Sequence, residues 1–408
     1  MNSQAGSLPL RHRPARNDES FPAPDFIERA RAAAAVAASH AEAVDREARF
    51  PREAIEAIRA QRLFGLLVPT RLGGEGARAA DIVDICYILG GACASSAMIF
   101  AMHQVKLACL TRHANGVVWQ EQLQRRIAAE QLLMASSTTE GASGGNIRSS
   151  EAAVQTSGSR IALDRNASVI SYGEHADGIV TTARRCEEAG HSDQVLVAFL
   201  KDNYTLERSQ GWDTLGMRGT CSQGYRLRAE GDAAQVLPEA YERIHSQTMA
   251  PVAHLFWSSA WSGIAAGSVQ RARAFVRKAA RASGGQMPPA AAHLTRARVQ
   301  LETLRGAVQS GLRTFEAHSS APDGLDPVNL QLAMNFLKVE ASELALTVVM
   351  SAMRACGLAG YRNDGEFTMG RYLRDILSAP IMINNDRILA NAEGSVLMSD
   401  PPVGLSQA

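Results

Sequence analysis

The sequence predicts an α+β chain in which helices come first, strands follow and helices return. Three observations predict it. Residues from about 25 to 130 carry helical periodicity and capping signals. After Gln131, short apolar runs such as Val169-Ile170, Ile179-Val180 and Val195-Leu196-Val197-Ala198-Phe199 alternate with Gly, Ser, Asn and Asp to about Pro238. From His245 the helical period resumes in segments long enough for a bundle. Segregated element types argue for separate layers rather than alternating βαβ units. The expected division is a disordered tail over 1–24, a helical domain over 25–130, a β-domain over 131–240 and a helical domain over 241–408.

The elements follow in order. The tail holds Arg11, Arg13 and Arg16 but no apolar run, unlike a secretory signal. Asp25 with Glu28 reads as a helix N-cap with a capping-box-like partner, and an Ala-rich run continues to Phe50. Pro51 suits the first turn of a second helix reaching Arg62. A break rich in turn residues follows at Phe64–Pro69 and Gly73–Gly76. Ile85 to Met102 has no charged residue and is long enough to raise a membrane span. Its glycines, alanines and serines fit a buried helix of a large helical domain, which is the reading adopted. Beyond the strands, Trp261–Ala280, Leu294–His318 and Pro327–Cys356 read as long helices, the third capped by Asp326-Pro327.

Bulk properties narrow the partners. The 408 residues include 42 Lys+Arg and 41 Asp+Glu, a net charge of +1. That balance excludes a general affinity for nucleic acid or acidic membranes. The six cysteines are scattered without a C-x-x-C pair, so neither a zinc site nor a disulfide framework is expected, and a cytoplasmic setting fits.

The most informative stretch is Gly211-Trp212-Asp213-Thr214-Leu215-Gly216-Met217-Arg218-Gly219-Thr220-Cys221-Ser222. Three glycines and a hydroxyl-rich end read as strand-and-turn chemistry. It resembles the W-D-x-x-G-M-R-G-T-x-S segment of the acyl-CoA dehydrogenase superfamily. Four other stretches are similar to that family's motifs in the same order. Thr138-Thr139-Glu140-Gly141, continuing to Asn146, resembles T-E-P-x-x-G-S-D. Val169-Ile170-Ser171-Tyr172-Gly173 resembles W-I-T-N-G. Arg277 to Gln286 resembles R-x-x-F-G-x-x-I, and Cys356-Gly357-Leu358-Ala359-Gly360-Tyr361, with Arg374-Asp375, resembles G-G-x-G-Y…R-D.

The resemblance implies a helical N-terminal domain, a central β-domain and a C-terminal four-helix bundle. It implies FAD as cofactor, with FMN as the alternative. Ser137, Thr138 and Thr139 would lie along the isoalloxazine ring, and the Ser171 hydroxyl would meet flavin N5. Arg281 would reach the pyrophosphate, while Gly357 and Gly360 would belong to a glycine loop meeting the ADP part across a subunit interface. Asn385 joins the cofactor set, although Asn384-Asn385-Asp386 also reads as a helix N-cap. Ser222 and Arg218 would line the acyl-CoA path. The implied assembly is a homodimer or homotetramer, with an electron-transfer flavoprotein or a flavin reductase as redox partner. His175 reads as a surface histidine at a strand end.

The pattern departs from the family at the general base. Desaturating an acyl thioester needs a carboxylate of raised pKa at the α-carbon. The family spacing from Arg374 lands on Ile383, and the position used by a minority of members lands on Trp257. Glu393 in Glu393-Gly394-Ser395, or His254 one turn before Trp257, are the candidate catalytic residues. Val169 stands where the family stacks a Trp on the flavin. The expected function is α,β-dehydrogenation of an acyl-CoA or carrier-bound acyl thioester. The alternatives are a monooxygenase of the same fold using reduced flavin and O2, and a non-catalytic flavin-binding protein.

Overall fold

The computed structural model describes residues 25–141, 147–319, 328–398 and 400. The tail, the Ala142–Asn146 part of the glycine-rich motif and the Asp326-Pro327 cap lie outside the described residues.

The chain begins with α1 (Phe26–Glu47), capped by the Asp25 carboxylate, which accepts from Glu28 N at 2.9 Å. Its alanines at 30, 33, 34, 37 and 41 recur at helical spacing and are buried, forming the stripe that packs on the next long helices. After α2 (Arg52–Ala60) come α3 (Ala79–Ala92), α4 (Ala94–His113) and α5 (Val118–Glu130). The uncharged stretch at 85–102 is therefore not one helix. Cys93 is extended (φ −148°, ψ 115°) and serves both as the C-cap of α3 and as the N-cap of α4. Burial of α4 on nearly every side removes any polar face, so its sequence shows no helical period. Among the described residues no helix is long and apolar enough to cross a membrane.

Two sheets follow. In the first, β1 (Met134–Ser137) runs parallel to β4 (Gly178–Arg184), which pairs antiparallel with β5 (Gln194–Leu200). Strands β4 and β5 are buried on both faces, which explains their unbroken apolar runs. The second sheet is antiparallel, ordered β2 (Gln155–Ser157), β3 (Arg160–Ile170), β7 (Gln223–Asp232), β6 (Tyr204–Gln210). Burial alternates along β3 and β7, as for a sheet with one face solvated. The β3–β7 and β6–β7 ladders both lose register beside Ser171 and Ser222. Such irregularities bend a strand end and re-aim its side chains.

The helical C-terminal part opens with α6 (Tyr241–Ile244) and a π-helical turn, His245–Met249. Helix α7 (Ala250–Ala282) is buried continuously from Pro251 to Val269 because it packs on α3, α4, α8 (Ala291–Ser319) and α9 (Val328–Cys356). Four shorter helices close the chain: α10 (Leu358–Tyr361), α11 (Gly370–Ile376), α12 (Ser378–Ile381) and α13 (Asn385–Met398), all packed on α9. The buried half of α7 is thus the axis on which the N-terminal helices and the bundle meet.

Candidate functional site

The turn after β3 and the turn before β7 are locked together. Tyr172 N donates to Thr220 O at 2.8 Å. The Ser171 and Ser222 hydroxyls lie 2.8 Å apart, and Ser222 Oγ lies 2.7 Å from Thr220 Oγ1. Three non-glycine residues in these turns, Tyr172, Met217 and Cys221, adopt positive φ values of 46°, 53° and 46°. Strained backbone of this kind persists where its surroundings enforce it, and it clusters at ligand sites. The structure therefore brings Ser171, expected at the flavin, onto one hydroxyl shelf with Ser222, expected at the substrate.

The shelf is braced from α11. A Cβ on Gly216 would fall 1.9 Å from Arg374 O, so only glycine lets the two backbones approach. Met217 N donates to Asp375 Oδ1 at 2.7 Å. Burial pushes the Asp375 carboxyl up to about 6, against the opposing pull of Arg371 and the Met217 N–H. Arg374 pairs with Asp45 of α1, and Arg371 reaches Glu42 at 3.3 Å. Arg374 and Asp375, which carry the end of the fifth motif, are held by these contacts. Within the protomer these residues clamp α1, α11 and the Gly-Met-Arg-Gly-Thr turn. Arg218 lies in the same turn, with its Nε buried and without a partner among the described residues.

Ser137 ends β1, and its buried Oγ has no hydrogen-bond partner among the described residues. Its backbone is fixed by Thr181 Oγ1, which donates to Ser137 O at 2.9 Å. Thr138 and Thr139 are half-buried, and Thr139 O accepts from Ser168 N at 3.3 Å. Glu140 is a structural neighbour of this run. It pairs with the fully buried Arg165 at 2.9 Å and accepts from Glu151 N and Ala152 N. An unpaired hydroxyl at the end of β1 and a hydroxyl shelf on two rigid turns fit the polar edge of an isoalloxazine ring, which offers both carbonyl acceptors and ring nitrogens.

A second polar region runs through the interior along α7. His254 is buried, its Nδ1 has no partner, and the ring meets the Met334 backbone. Burial, with the charges of Lys338 and His245 adding, pushes His254 down to about 3. The lowered pKa favours the neutral imidazole, which can accept a hydrogen bond at its unpaired nitrogen. Trp257 Nε1, Ser258 Oγ and Trp261 Nε1 are also buried and unpaired. Lys338 on α9 is fully buried, donates to Asn385 Oδ1 at 2.6 Å and lies 5.7 Å from the Trp261 ring centre. Asn385 Nδ2 donates to Ser342 Oγ and Glu343 Oε1. These bonds to α9 fasten the start of α13.

Glu393 is exposed on α13, whose buried residues are Asn385, Ile388 and Ala392. The fold therefore sets Glu393 apart from the buried interior along α7. Arg281 is exposed in the last turn of α7, about 40 Å along the axis from His254. Gly357 takes φ +55° at the end of α9, and a Cβ on Gly360 would fall 2.7 Å from Cys356 Cβ. His175 is half-buried and stacked on Phe50 at 4.1 Å, so it is not a plain surface histidine.

Sequence reasoning missed a further buried group at the π-turn. Lys106 on α4 and Tyr241 on α6 approach Met249 Sδ at 3.4 and 3.5 Å. A lysine inside an otherwise apolar helical run was the available signal.

The helical–β–helical order, the rigid hydroxyl shelf and the buried polar interior define a flavin-dependent oxidoreductase fold. The chain belongs to the acyl-CoA dehydrogenase superfamily: residues 25–130 match the model of the acyl-CoA dehydrogenase N-terminal domain and residues 253–391 that of the C-terminal domain. It is 24% identical to cyclohex-1-ene-1-carbonyl-CoA dehydrogenase of Geobacter metallireducens over 359 residues, 87% of this chain and 92% of that one. It is 25% identical to isobutylamine N-hydroxylase of Streptomyces viridifaciens over 178 residues, 43% of this chain and about half (47%) of that protein. Among solved structures, FMN-bound TdsC of Paenibacillus sp. A11-2 superposes with a TM-score of 0.81 at 16% identity, covering 92% of this chain and 98% of that one.

Proposed function

We propose that the protein is a flavin-dependent monooxygenase of the acyl-CoA dehydrogenase fold, acting on a small polar substrate. One observation carries this reading. Along the buried half of α7 and the π-turn, the described side chains are imidazoles, indole N–H groups, hydroxyls and amines, and no carboxylate there is free to act as the base of an α,β-dehydrogenation. Reduced flavin activates dioxygen, whereas oxidised flavin accepts hydride. The residues of this chain support the first role better. Ser137, Thr138, Thr139 and Ser171 hold the ring edge. His254 Nδ1, as a neutral acceptor, orients a substrate N–H or O–H. The buried indoles exclude water. The similarity to isobutylamine N-hydroxylase and to TdsC, a dibenzothiophene monooxygenase, supports this reading.

FMN or FAD both fit the shelf. FMN is present in the TdsC structure and in one of KijD3, while Arg281 would matter only for the longer cofactor. The distance of Arg281 from the rest of the site means that such a FAD would be bound mainly by another protomer. Leu358 and Tyr361, next to Gly357, and Ile381 and Leu397 on the later helices are exposed apolar side chains, which supports a homodimer or homotetramer.

The second reading, dehydrogenation of an acyl thioester, is favoured by the retained Gly-Met-Arg-Gly-Thr turn and by the full-length match to a CoA-ester dehydrogenase. Anaerobic mixing decides between them. Under the proposed function, no acyl-CoA in a chain-length panel bleaches the oxidised flavoprotein, and the protein binds photoreduced FMN or FAD and changes its rate of reoxidation by air. Bleaching by any acyl-CoA under argon would overturn the monooxygenase reading.

A further inference from the structure

We propose that Lys106, Tyr241 and Arg165 form a buried niche that binds a carboxylate group of the substrate. The inference rests on the reading of this interior as the substrate site, but it requires no particular flavin chemistry.

The niche is rich in donors and poor in acceptors. Lys106 is 3% exposed, and its only hydrogen-bond partner among the described residues is the Met249 thioether. Tyr241 OH donates to the same sulfur. A thioether is a weak acceptor, so two strong donors share one poor partner. Arg165, from β3, is fully buried. Its charge acts on both Lys106 and Tyr241; Nη1 serves Thr182 O, Ser150 Oγ and Glu140, while Nε and Nη2 have no partner among the described residues. Buried donors left unpaired by the protein carry a desolvation cost that an oxygen acceptor bound beside them would offset.

The charge balance selects the ligand. Glu140 offsets the Arg165 charge and also accepts from two backbone N–H groups. The neighbouring Cys109 thiol is pushed up to about 11 and stays neutral, and His245 is pushed down to about 4 and stays neutral. Arg148 adds a further positive field at His245 and Tyr241. Among the described residues Lys106 has no carboxylate partner. A carboxylate would convert the two weak contacts to sulfur into charge-assisted bonds to oxygen. Met249 can yield the space, because its side chain is unbranched and flexible and it ends the π-turn. Local π-turns of this kind recur at functional sites.

The test uses the full-length protein as purified, with its flavin content recorded from visible absorbance. Benzoate, phenylacetate and butyrate are titrated at pH 7 beside their neutral amides. At least one carboxylate is expected to raise the melting temperature by about 2 °C or more, with no effect from the amide. The shift should vanish in Lys106→Met and shrink in Tyr241→Phe. A wild type that no carboxylate shifts, amides that shift it equally, or an undiminished shift in Lys106→Met would overturn the niche. The two readings fail separately: a yellow protein blind to carboxylates loses only the niche, and a colourless protein that carboxylates stabilise loses only the flavin function.

Discussion

Replacing Lys106 with methionine should stabilise the protein at neutral pH. Burial pushes this amine down to about 8 from its ordinary 10.5. That difference corresponds to about 3 kcal/mol by linkage. The sign follows from the protons bound. Between pH 8 and 10.5 the unfolded lysine keeps its proton while the folded one has released it, so raising pH favours folding. Below pH 8 both states are protonated, and the folded state carries the full cost of a buried ammonium. Lys106→Met removes that cost while roughly conserving side-chain length. Imperfect repacking offsets part of the gain, leaving about 1–3 kcal/mol at pH 7. Urea denaturation of both proteins at pH 7 and pH 10 measures it. The variant should unfold at higher urea at pH 7, and the gap should narrow at pH 10. A variant less stable at pH 7, or a gap equal at both pH values, would show that Lys106 is already compensated, and the donor-surplus argument would fail with it. Retention of so costly a group is what a binding role at this position would explain.

Other outcomes follow from the site geometry. Gly216→Ala places a methyl group against Arg374 O and Asp375 N, and should cost at least about 1–3 kcal/mol, with lower flavin content as the Ser222 turn is displaced; melting curves and the visible-to-ultraviolet absorbance ratio report both. Ser137→Ala deletes a hydroxyl with no protein partner, so the melting temperature of the flavin-free protein should hold while flavin affinity falls about 3- to 10-fold in fluorescence titrations. An unchanged affinity would remove Ser137 from the flavin contact. Glu393→Gln alters an exposed side chain and should leave flavin content, stability and turnover unchanged; a large loss of turnover would restore Glu393 as a catalytic group.

The element types were legible because each follows from local spacing. The Asp25 cap, the alternation along β3 and the apolar run of β5 are short-range patterns, and each appears where its residues put it. The break at Cys93 was not legible. A helix buried on all sides has no polar face to mark its end, so α3 and α4 read as one segment. The glycine-punctuated motifs were found by resemblance, yet their partners were not. Nothing in Arg374-Asp375 alone shows that the pair holds Asp45 and Met217 N, since those contacts span more than 150 residues of chain.

The order of residues by itself determined the helical–β–helical architecture, the family and the turns that carry Ser171 and Ser222. Periodicity and turn chemistry are properties of neighbouring residues, and five motifs in one order identify a common ancestor. Only the tertiary structure decided which polar groups are buried and unpaired. It exposed Glu393, buried His254, bonded Asn385 to α9 and drew Lys106 and Tyr241, from two separate helices, to one methionine with the Arg165 charge acting on both. Desolvation and hydrogen-bond satisfaction depend on everything within a few ångströms, whatever its distance along the chain.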